Sequence, residues 1–547
     1  MKTGLLAALC LVLAFGIAAA VPGATVKAAF SQDDFLQASG TVLKNKSGTG
    51  AVVSLRGTNL GGWLLQENWM SPAGATDEYT LRRTLTGRFG EPGAQTLINS
   101  YQDTWIQAGD LDNIKNMGMN TVRVPLYWED FMTTDGVMKP DTVTFRKIDW
   151  LINESAKRGI YVILDLHGAP GAACPWHSCG RENSNQLWSN ATYQNWTVQI
   201  WERLAARYNG NPTVAAYDLL NEPLVTMGEG ENAAQIKQKM DFYNRMYKAV
   251  RAKDPNHVII VAAFFDWFAA APPSTYGWTN VMYQTHHYNF TKFDDWNLTN
   301  SEIDRWLKDM ADYQRQWNIP VFAGEYSWDF NDLMEKWLSG LNALNASWTN
   351  WSYKVKGGGN WGFYNTNNNP SPDLNVDSAA VITAKWSKFG TANFSANTAY
   401  QNLVKKYTSA PPVQGTWSSL KANANNSYVS ADNYGNSPLV ANRTSVAEWE
   451  KFKIVPNPDG TVSLLSQANN KYVSADLNQG GKLIASVSSI QQWEKFRQIA
   501  LPDGSVGLKA LANNKVVSAD LNQGAVLVAN RDSVGGAWEA FVITPAP

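Results

Sequence analysis

The stretch Gly159-Ile160-Tyr161-Val162-Ile163-Leu164-Asp165-Leu166-His167-Gly168 decides how the chain is read. A glycine that stops a helix is followed by an almost unbroken apolar run, which suits a strand buried on both faces of a parallel sheet. The run then ends in polar groups. The same unit recurs outward in both directions. Strand-like runs at 52–58, 121–125, 161–167, 215–221, 258–262, 281–287, 320–325 and 348–354 alternate with helix-period segments such as 104–117, 193–208, 232–252 and 302–317. Gly118, Gly159, Asn209-Gly210 and Pro320 supply helix stops. Eight such units predict an α/β fold, a (β/α)8 TIM barrel with parallel strands. A doubly wound open sheet is the alternative, disfavoured because no glycine-rich phosphate loop follows the first strand.

The barrel is expected over 45–408, with a Gly-, Asn- and Pro-rich loop at 357–376 and helix over 376–408. Ser409-Ala410-Pro411-Pro412 opens a linker at 409–416. Residues 417–547 carry a repeat with a period of about 44 residues. Tyr428-Val429-Ser430-Ala431-Asp432 returns as Tyr472-Val473-Ser474-Ala475-Asp476 and as Val516-Val517-Ser518-Ala519-Asp520. A Trp-Glu-x-Phe block follows each copy: Trp449 and Phe452, Trp493 and Phe496, Trp538 and Phe541. Propellers need more blades than three, so the copies predict an all-β β-trefoil that buries each repeat's Trp and Phe about its axis.

With Lys+Arg 46 against Asp+Glu 47 the formal net charge is -1, so no basic stripe marks a nucleic-acid partner. Lys2, the apolar run 5–20 and small residues at 18–20 or 26–28 read as a secretory signal over 1–28, implying a secreted, extracellular protein. No second apolar run is long enough to span a bilayer, so stable membrane insertion is not expected. Setting aside Cys10 in the signal leaves Cys174 and Cys179, an even pair suited to a small disulfide loop. With only His177 beside them a zinc site lacks ligands, and no motif for a metal or organic cofactor stands elsewhere. The chain is rich in aromatic residues, Trp 24, Tyr 21 and Phe 20, and indole faces stack on sugar rings as well as filling cores.

Active sites of such barrels form at the C-terminal ends of the strands. Those ends hold Arg123 on the second strand, Asp165 and His167 on the third, and Asn221-Glu222 on the fourth. His286-His287-Tyr288 follows on the sixth, Glu325 on the seventh, and Trp348 with Trp351 on the eighth. Glu222 and Glu325 are three strands apart and should face each other across the mouth. Two facing carboxyl groups are the minimal equipment for glycoside hydrolysis. Arg123 could keep one of them ionised. Asn221 could bond a sugar hydroxyl, Tyr288 could donate to the nucleophile, and Trp351 offers a flat face to a sugar ring. His-His-Tyr as a metal site lacks a further ligand at the usual spacing.

Residues 50–405 resemble glycoside hydrolase family 5, in the clan whose two catalytic glutamates lie on strands 4 and 7. Arg56-Gly57-Thr58-Asn59-Leu60-Gly61-Gly62-Trp63-Leu64, with Glu67, and Asp165-Leu166-His167-Gly168-Ala169-Pro170-Gly171 resemble the exo-β-1,3-glucanase branch. The resemblance implies Glu222 as acid/base, Glu325 as nucleophile and retention of configuration. It also implies a substrate-binding shell of Arg123, His167, Asn221, His286, Tyr288 and Trp351, with Glu67 on the terminal sugar. The branch's Phe-Asp-Asn-Ser-Gly stretch is Trp176-His177-Ser178-Cys179-Gly180 here, so Trp176 and His177 take the places of its Phe and Asp. Its strand-8 Trp-Lys-Thr-Glu is Tyr353-Lys354-Val355-Lys356. Exo or endo action, β-1,3-, β-1,6- or β-1,4-glucan as polysaccharide partner, and hydrolysis or transglycosylation stay open. So does an inactive polysaccharide-binding or adhesion protein. The C-terminal repeats resemble fascin-like trefoils, and Asp432, Asp476 and Asp520 mark either sugar-binding turns or turn-stabilising groups.

Overall fold

The computed structural model describes residues 30–226, 230–264, 266–290, 292–409, 417–457 and 460–546. The expected signal at 1–28, and all but the first residue of the expected linker, lie outside the described residues. Eight parallel strands close into a barrel: β1 (Arg56–Asn59), β2 (Thr121–Tyr127), β3 (Tyr161–Gly168), β4 (Val214–Asp218), β5 (Val258–Phe264), β6 (Val281–His287), β7 (Val321–Tyr326) and β8 (Ser347–Asn350). Every residue of these strands is buried, by side chains inside the barrel and by helices outside it. The continuous apolar runs in the sequence have this cause.

Four expectations are corrected. The eighth strand is shorter than 348–354: it stops at Asn350, and Lys354–Lys356 joins a separate three-stranded sheet with Tyr364–Thr366 and Ser395–Ala396. That sheet breaks the expected loop at 357–376 and the expected helix at 376–408, which is instead two helices, Ala379–Trp386 and Thr398–Thr408. The helix expected over 104–117 is the junction of two, Glu78–Trp105 and Ala108–Asn116. The ordered chain also precedes residue 45: a hairpin of Gln37–Ser39 and Val42–Lys44 brings Leu36 and Leu43 against Leu55, Ile163, Ile260 and Phe322 at the barrel's floor. Plugging the floor leaves the strand C-termini as the open end.

The C-terminal region is a separate antiparallel all-β domain of twelve strands, from Ser418–Ala422 to Phe541–Pro545. Its three repeats are structurally equivalent. Each has a hairpin with the same irregularity, between Tyr428 and Val429, Tyr472 and Val473, and Val516 and Val517. In each an asparagine, Asn425, Asn469 or Asn513, donates to the facing strand at Ala441, Ala485 or Ala529. Phe452, Phe496 and Phe541 fill the core as expected, but Trp449, Trp493 and Trp538 do not: they are half-buried at its surface. The reason is the next residue. Glu450, Glu494 and Glu539 turn inward to accept backbone N–H groups of Ala447, Gln491 and Gly536, which rotates the preceding indole outward.

The domain packs on the barrel's floor. Ala343, at the end of the helix leading into β8, contacts Val455, Leu465 and Tyr472, and Arg315 donates to the carbonyl of Gln467. The open mouth and the C-terminal domain therefore lie at opposite ends of the barrel.

Candidate active site

The site is built around one fully buried guanidinium. Arg123 extends from β2 into the barrel, where it donates four hydrogen bonds and makes a further ion-pair contact. Nε donates to Asp218 at 2.8 Å, Nη1 to Asn59 at 3.0 Å and Glu325 at 2.9 Å, and Nη2 to Asn221 at 2.9 Å with Asp165 at 3.2 Å. The surrounding carboxylates hold Arg123 charged despite its burial, raising its pKa.

Asn221 receives that bond on Oδ1, so its Nδ2 faces His167 Nε2 at 3.1 Å. His167 Nδ1 meets Asp165 at 2.6 Å. In the neutral ring this chain of bonds places the proton on Nδ1, and the ring lies 5.3 Å from Trp351, nearly parallel to it at 12°. Burial disfavours the charged ring, but the Asp165 carboxylate outweighs it and raises the pKa of His167.

Glu222 follows β4 in a left-handed conformation, φ 44°, uncommon for a residue with a long side chain. The turn points its carboxyl toward the one on β7. His286 Nδ1 lies between the two, 2.9 Å from Glu222 Oε1 and 3.5 Å from Glu325 Oε2. Oxygens of Glu222 and Glu325 approach within 4.8 Å of each other. Tyr288 donates to Glu325 at 2.8 Å and Ser178 to Glu222 at 3.3 Å. Gly324 permits this crowding, since a Cβ there would lie 2.2 Å from Gln284 and 3.1 Å from His286.

Burial raises the pKa of both glutamic acids. Glu222 is pushed up to about 7, with the negative charge of Glu67 adding to burial and His167 opposing it. Burial raises Glu325 too, but the Arg123 guanidinium pulls against it. A guanidinium and a phenol donate to Glu325 and neither donates to Glu222, so Glu325 is the first to ionise. Burial lowers His286 to about 4, which leaves it uncharged near neutrality.

Both carboxyl groups open into a cavity of about 640 Å³. Glu67, His167, Trp176, His177, Tyr288 and Trp351 line it, so the expected site residues from six different strand ends meet there or, like Arg123 and Asn221, directly beneath it. Glu67 and His177 form an ion pair at 3.1 Å that joins the loops after β1 and β3, and Trp69 donates to the same carboxylate. The pair reinforces itself: the hydrogen bond to Glu67 raises the pKa of His177, and Glu67 is held below its ordinary value against burial. Cys174 and Cys179 are joined in a disulfide that closes this loop.

Among the described residues Glu222, His286 and Glu325 are also the one group of three potential metal ligands. Their arrangement is an acid pair bridged by an imidazole already engaged with both members. Sequence reasoning did not single out Asn59, Asp218 and Ser178, or the rim residues Trp69, Phe290, Phe293 and Trp361. It quoted Asp165 without a role, although two-residue periodicity puts it on the inward face with His167. Asn59 and Asp218 end β1 and β4, where nothing in the sequence marks them as partners of Arg123, and the remaining residues lie outside the barrel strands with no periodic signal.

A family model described as cellulase (glycosyl hydrolase family 5) matches residues 88–357. A probable glucan 1,3-beta-glucosidase A of Neosartorya fischeri is 31% identical over 304 residues, covering 52% of this chain and 68% of its own. A beta-xylosidase of Phanerodontia chrysosporium is 28% identical over 353 residues, covering 58% of this chain and 71% of its own. The chain thus spans about two thirds of the length of these curated relatives, 65% to 71% in the first four. Among solved structures, endo-glycoceramidase II from Rhodococcus sp. aligns over 93% of this chain and 100% of that one, at 15% identity and a TM-score of 0.47.

The Arg123 network makes a stability prediction. Arg123→Met leaves Asp165 and Asp218 buried without their cation, so unfolding free energy should fall by about 3–5 kcal/mol. Denaturant titration followed by tryptophan fluorescence measures this; a loss below ~1 kcal/mol would show that the network is not what holds the site together.

Proposed function

The chain belongs to glycosyl hydrolase family 5, and we propose from that premise that it is a secreted retaining β-glucan hydrolase, exo-β-1,3-glucanase-like, working by double displacement. The observation that carries this reading is the separation of the two carboxyl groups. Oxygens of Glu222 and Glu325 lie within 4.8 Å, near the ~5–5.5 Å between carboxyl groups of retaining enzymes and short of the ~6.5–9.5 Å that accommodates a water in inverting ones.

In the first step Glu325, ionised, attacks the anomeric carbon of a β-glucoside while the proton of Glu222 passes to the departing oxygen. The C–O bond to the leaving sugar breaks and a glycosyl ester on Glu325 forms. In the second step Glu222, now a carboxylate, takes a proton from water, whose oxygen attacks the anomeric carbon and releases Glu325. Arg123 and Tyr288 steady the nucleophile's charge in both steps. The neutral His286 keeps the two carboxyl groups apart without competing for the proton. Trp351 supplies an apolar face for the reacting ring, stacked on His167.

Action at a chain end is supported by the Glu67–His177 pair, which ties two loops across one side of the cavity and presents charged groups to a terminal sugar. The glucan assignment draws on the relatives named for glucan 1,3-beta-glucosidase activity. The β-xylosidase relative makes a β-xyloside the informative comparison substrate. The signal read at 1–28 supports export. The three-repeat C-terminal domain is read as a fascin-like β-trefoil on the equivalence of its repeats.

Glu325→Gln should reduce laminarin hydrolysis by at least ~10³-fold with the fold intact, and wild-type product should first appear as the β-anomer by NMR. Residual activity within ~10-fold of wild type, or initial α-anomer, would contradict the reading.

The alkaline limb of kcat/KM should reflect Glu222, which must be protonated to act. Activity should fall about tenfold per pH unit above about 7. Glu67→Gln removes a negative charge that disfavours ionisation of Glu222, so it should move this limb to lower pH. A limb that stays in place would show that Glu67 does not act on the acid.

A further inference from the structure

The three repeats of the C-terminal domain are equivalent in backbone, yet one has broken the pattern at its turn. In the second and third repeats the recurrent aspartate holds its own hairpin. Asp476 accepts from Asn478 N at 2.9 Å and Gln479 Nε2 at 3.0 Å, and Asp520 accepts from Asn522 N and Gln523 Nε2 at 3.0 Å each. These two aspartates stabilise turns.

Asp432 of the first repeat does something else. Its Oδ1 accepts from Ser430 Oγ at 2.6 Å and Arg443 Nη2 at 2.8 Å, and its Oδ2 has no protein partner among the described residues. The turn that follows differs too. Asn433 and Tyr434 both take left-handed backbone conformations, φ 55° and 53°, which asparagine tolerates but an aromatic residue rarely adopts. The corresponding turns after Asp476 and Asp520 are 3-10 segments, Leu477–Gln479 and Leu521–Gln523, that close on Gly480 and Gly524. Backbone strain of this kind persists where the surroundings enforce it, and it is common at binding sites. Here it directs Tyr434 outward, 63% exposed, with its ring 5.3 Å from that of Trp449 and inclined at 67°.

We propose that Tyr434, Trp449, Asp432 and Arg443 form a glycan-binding site on the first repeat that takes a β-linked glucan chain. Two rings set at a steep angle make a corner. The C–H face of a β-pyranose is apolar and packs on one ring while its edge meets the other. The hydroxyls at the rim of such a sugar need both a donor and an acceptor, and the Arg443–Asp432 pair presents both at the surface. The second and third repeats keep Leu477 and Leu521 after their aspartates and commit those aspartates to the turn, so they lack the corner.

The choice of glucan rests on the proposed activity of the barrel; the site itself does not. Its placement gives it a use. Glu448, next to Trp449, lies 3.9 Å from Arg315 on the helix Trp296–Trp317, at that helix's C-terminal end and so at the barrel's floor. A chain bound there is not the segment in the catalytic mouth. The site would hold the polymer and raise the local concentration of its ends at the mouth.

The test uses the full chain carrying Glu325→Gln, so that binding is read without hydrolysis. Its retention is measured by affinity electrophoresis in laminarin gels and by co-sedimentation with insoluble curdlan. Adding Tyr434→Ala or Arg443→Ala should weaken retention at least tenfold without lowering the melting temperature appreciably. Leu477→Ala, the control in the second repeat, should leave it unchanged. No retention of the Glu325→Gln chain on either glucan, or equal retention by both added variants, overturns the proposal. Hydrolysis of a soluble β-glucoside by the unmodified chain is scored separately, so failure of the barrel's assignment and failure of this site give different results.

Discussion

Arg123 is the constraint on which the site's geometry depends. Burying a guanidinium and several carboxylates is unfavourable by several kcal/mol per ion unless each is paired with good geometry. Here four hydrogen bonds reach β1, β4, the turn after β4 and β7, and an ion pair reaches β3. None of these partners can move independently. Glu325 is held in place because its oxygen satisfies Nη1, and Asn221 is oriented because its carbonyl satisfies Nη2. That orientation sets the proton position on His167 and hence the ring against which Trp351 lies. Structural ion pairing and the preparation of the reaction site are one network.

The same network separates two chemically identical residues. Glu222 and Glu325 are both buried, and burial alone would make both weak acids. The difference comes from what reaches each: a guanidinium and a phenol for Glu325, a weak serine hydroxyl and the nearby charge of Glu67 for Glu222. A pair of carboxyl groups with divided roles follows from that asymmetry. His286, bonded to Glu222 and close to Glu325, is kept neutral by burial and so does not erase it.

Much of this was legible in the sequence because a barrel converts position into location. A polar residue at the end of an apolar run must stand at the mouth, so Arg123, His167, Glu222, His286 and Glu325 could be gathered without coordinates. The pairings could not. Asp218 lies inside its strand, and nothing in Ala215-Ala216-Tyr217-Asp218 distinguishes an Arg123 partner from any buried acid. Rim residues such as Trp361 and Phe293 stand on loops whose path depends on tertiary contacts, and the short sheet around Lys354–Lys356 was hidden by continuity with β8. In the C-terminal domain the repeat predicted three equivalent units. Sequence periodicity did not reveal that the glutamate after each Trp would take the interior place and turn the indole outward.

The central claim is that Glu325 becomes covalently bonded to sugar while Glu222 handles the proton. Incubation with an activated 2-deoxy-2-fluoro-β-glucoside, which slows release of the glycosyl-enzyme more than its formation, followed by proteolysis and mass spectrometry, tests it directly. The account predicts time-dependent inactivation with one fluoroglucosyl group on the peptide containing Glu325. A label on the peptide containing Glu222, or turnover with no adduct under conditions that inactivate known retaining glycosidases, would contradict it.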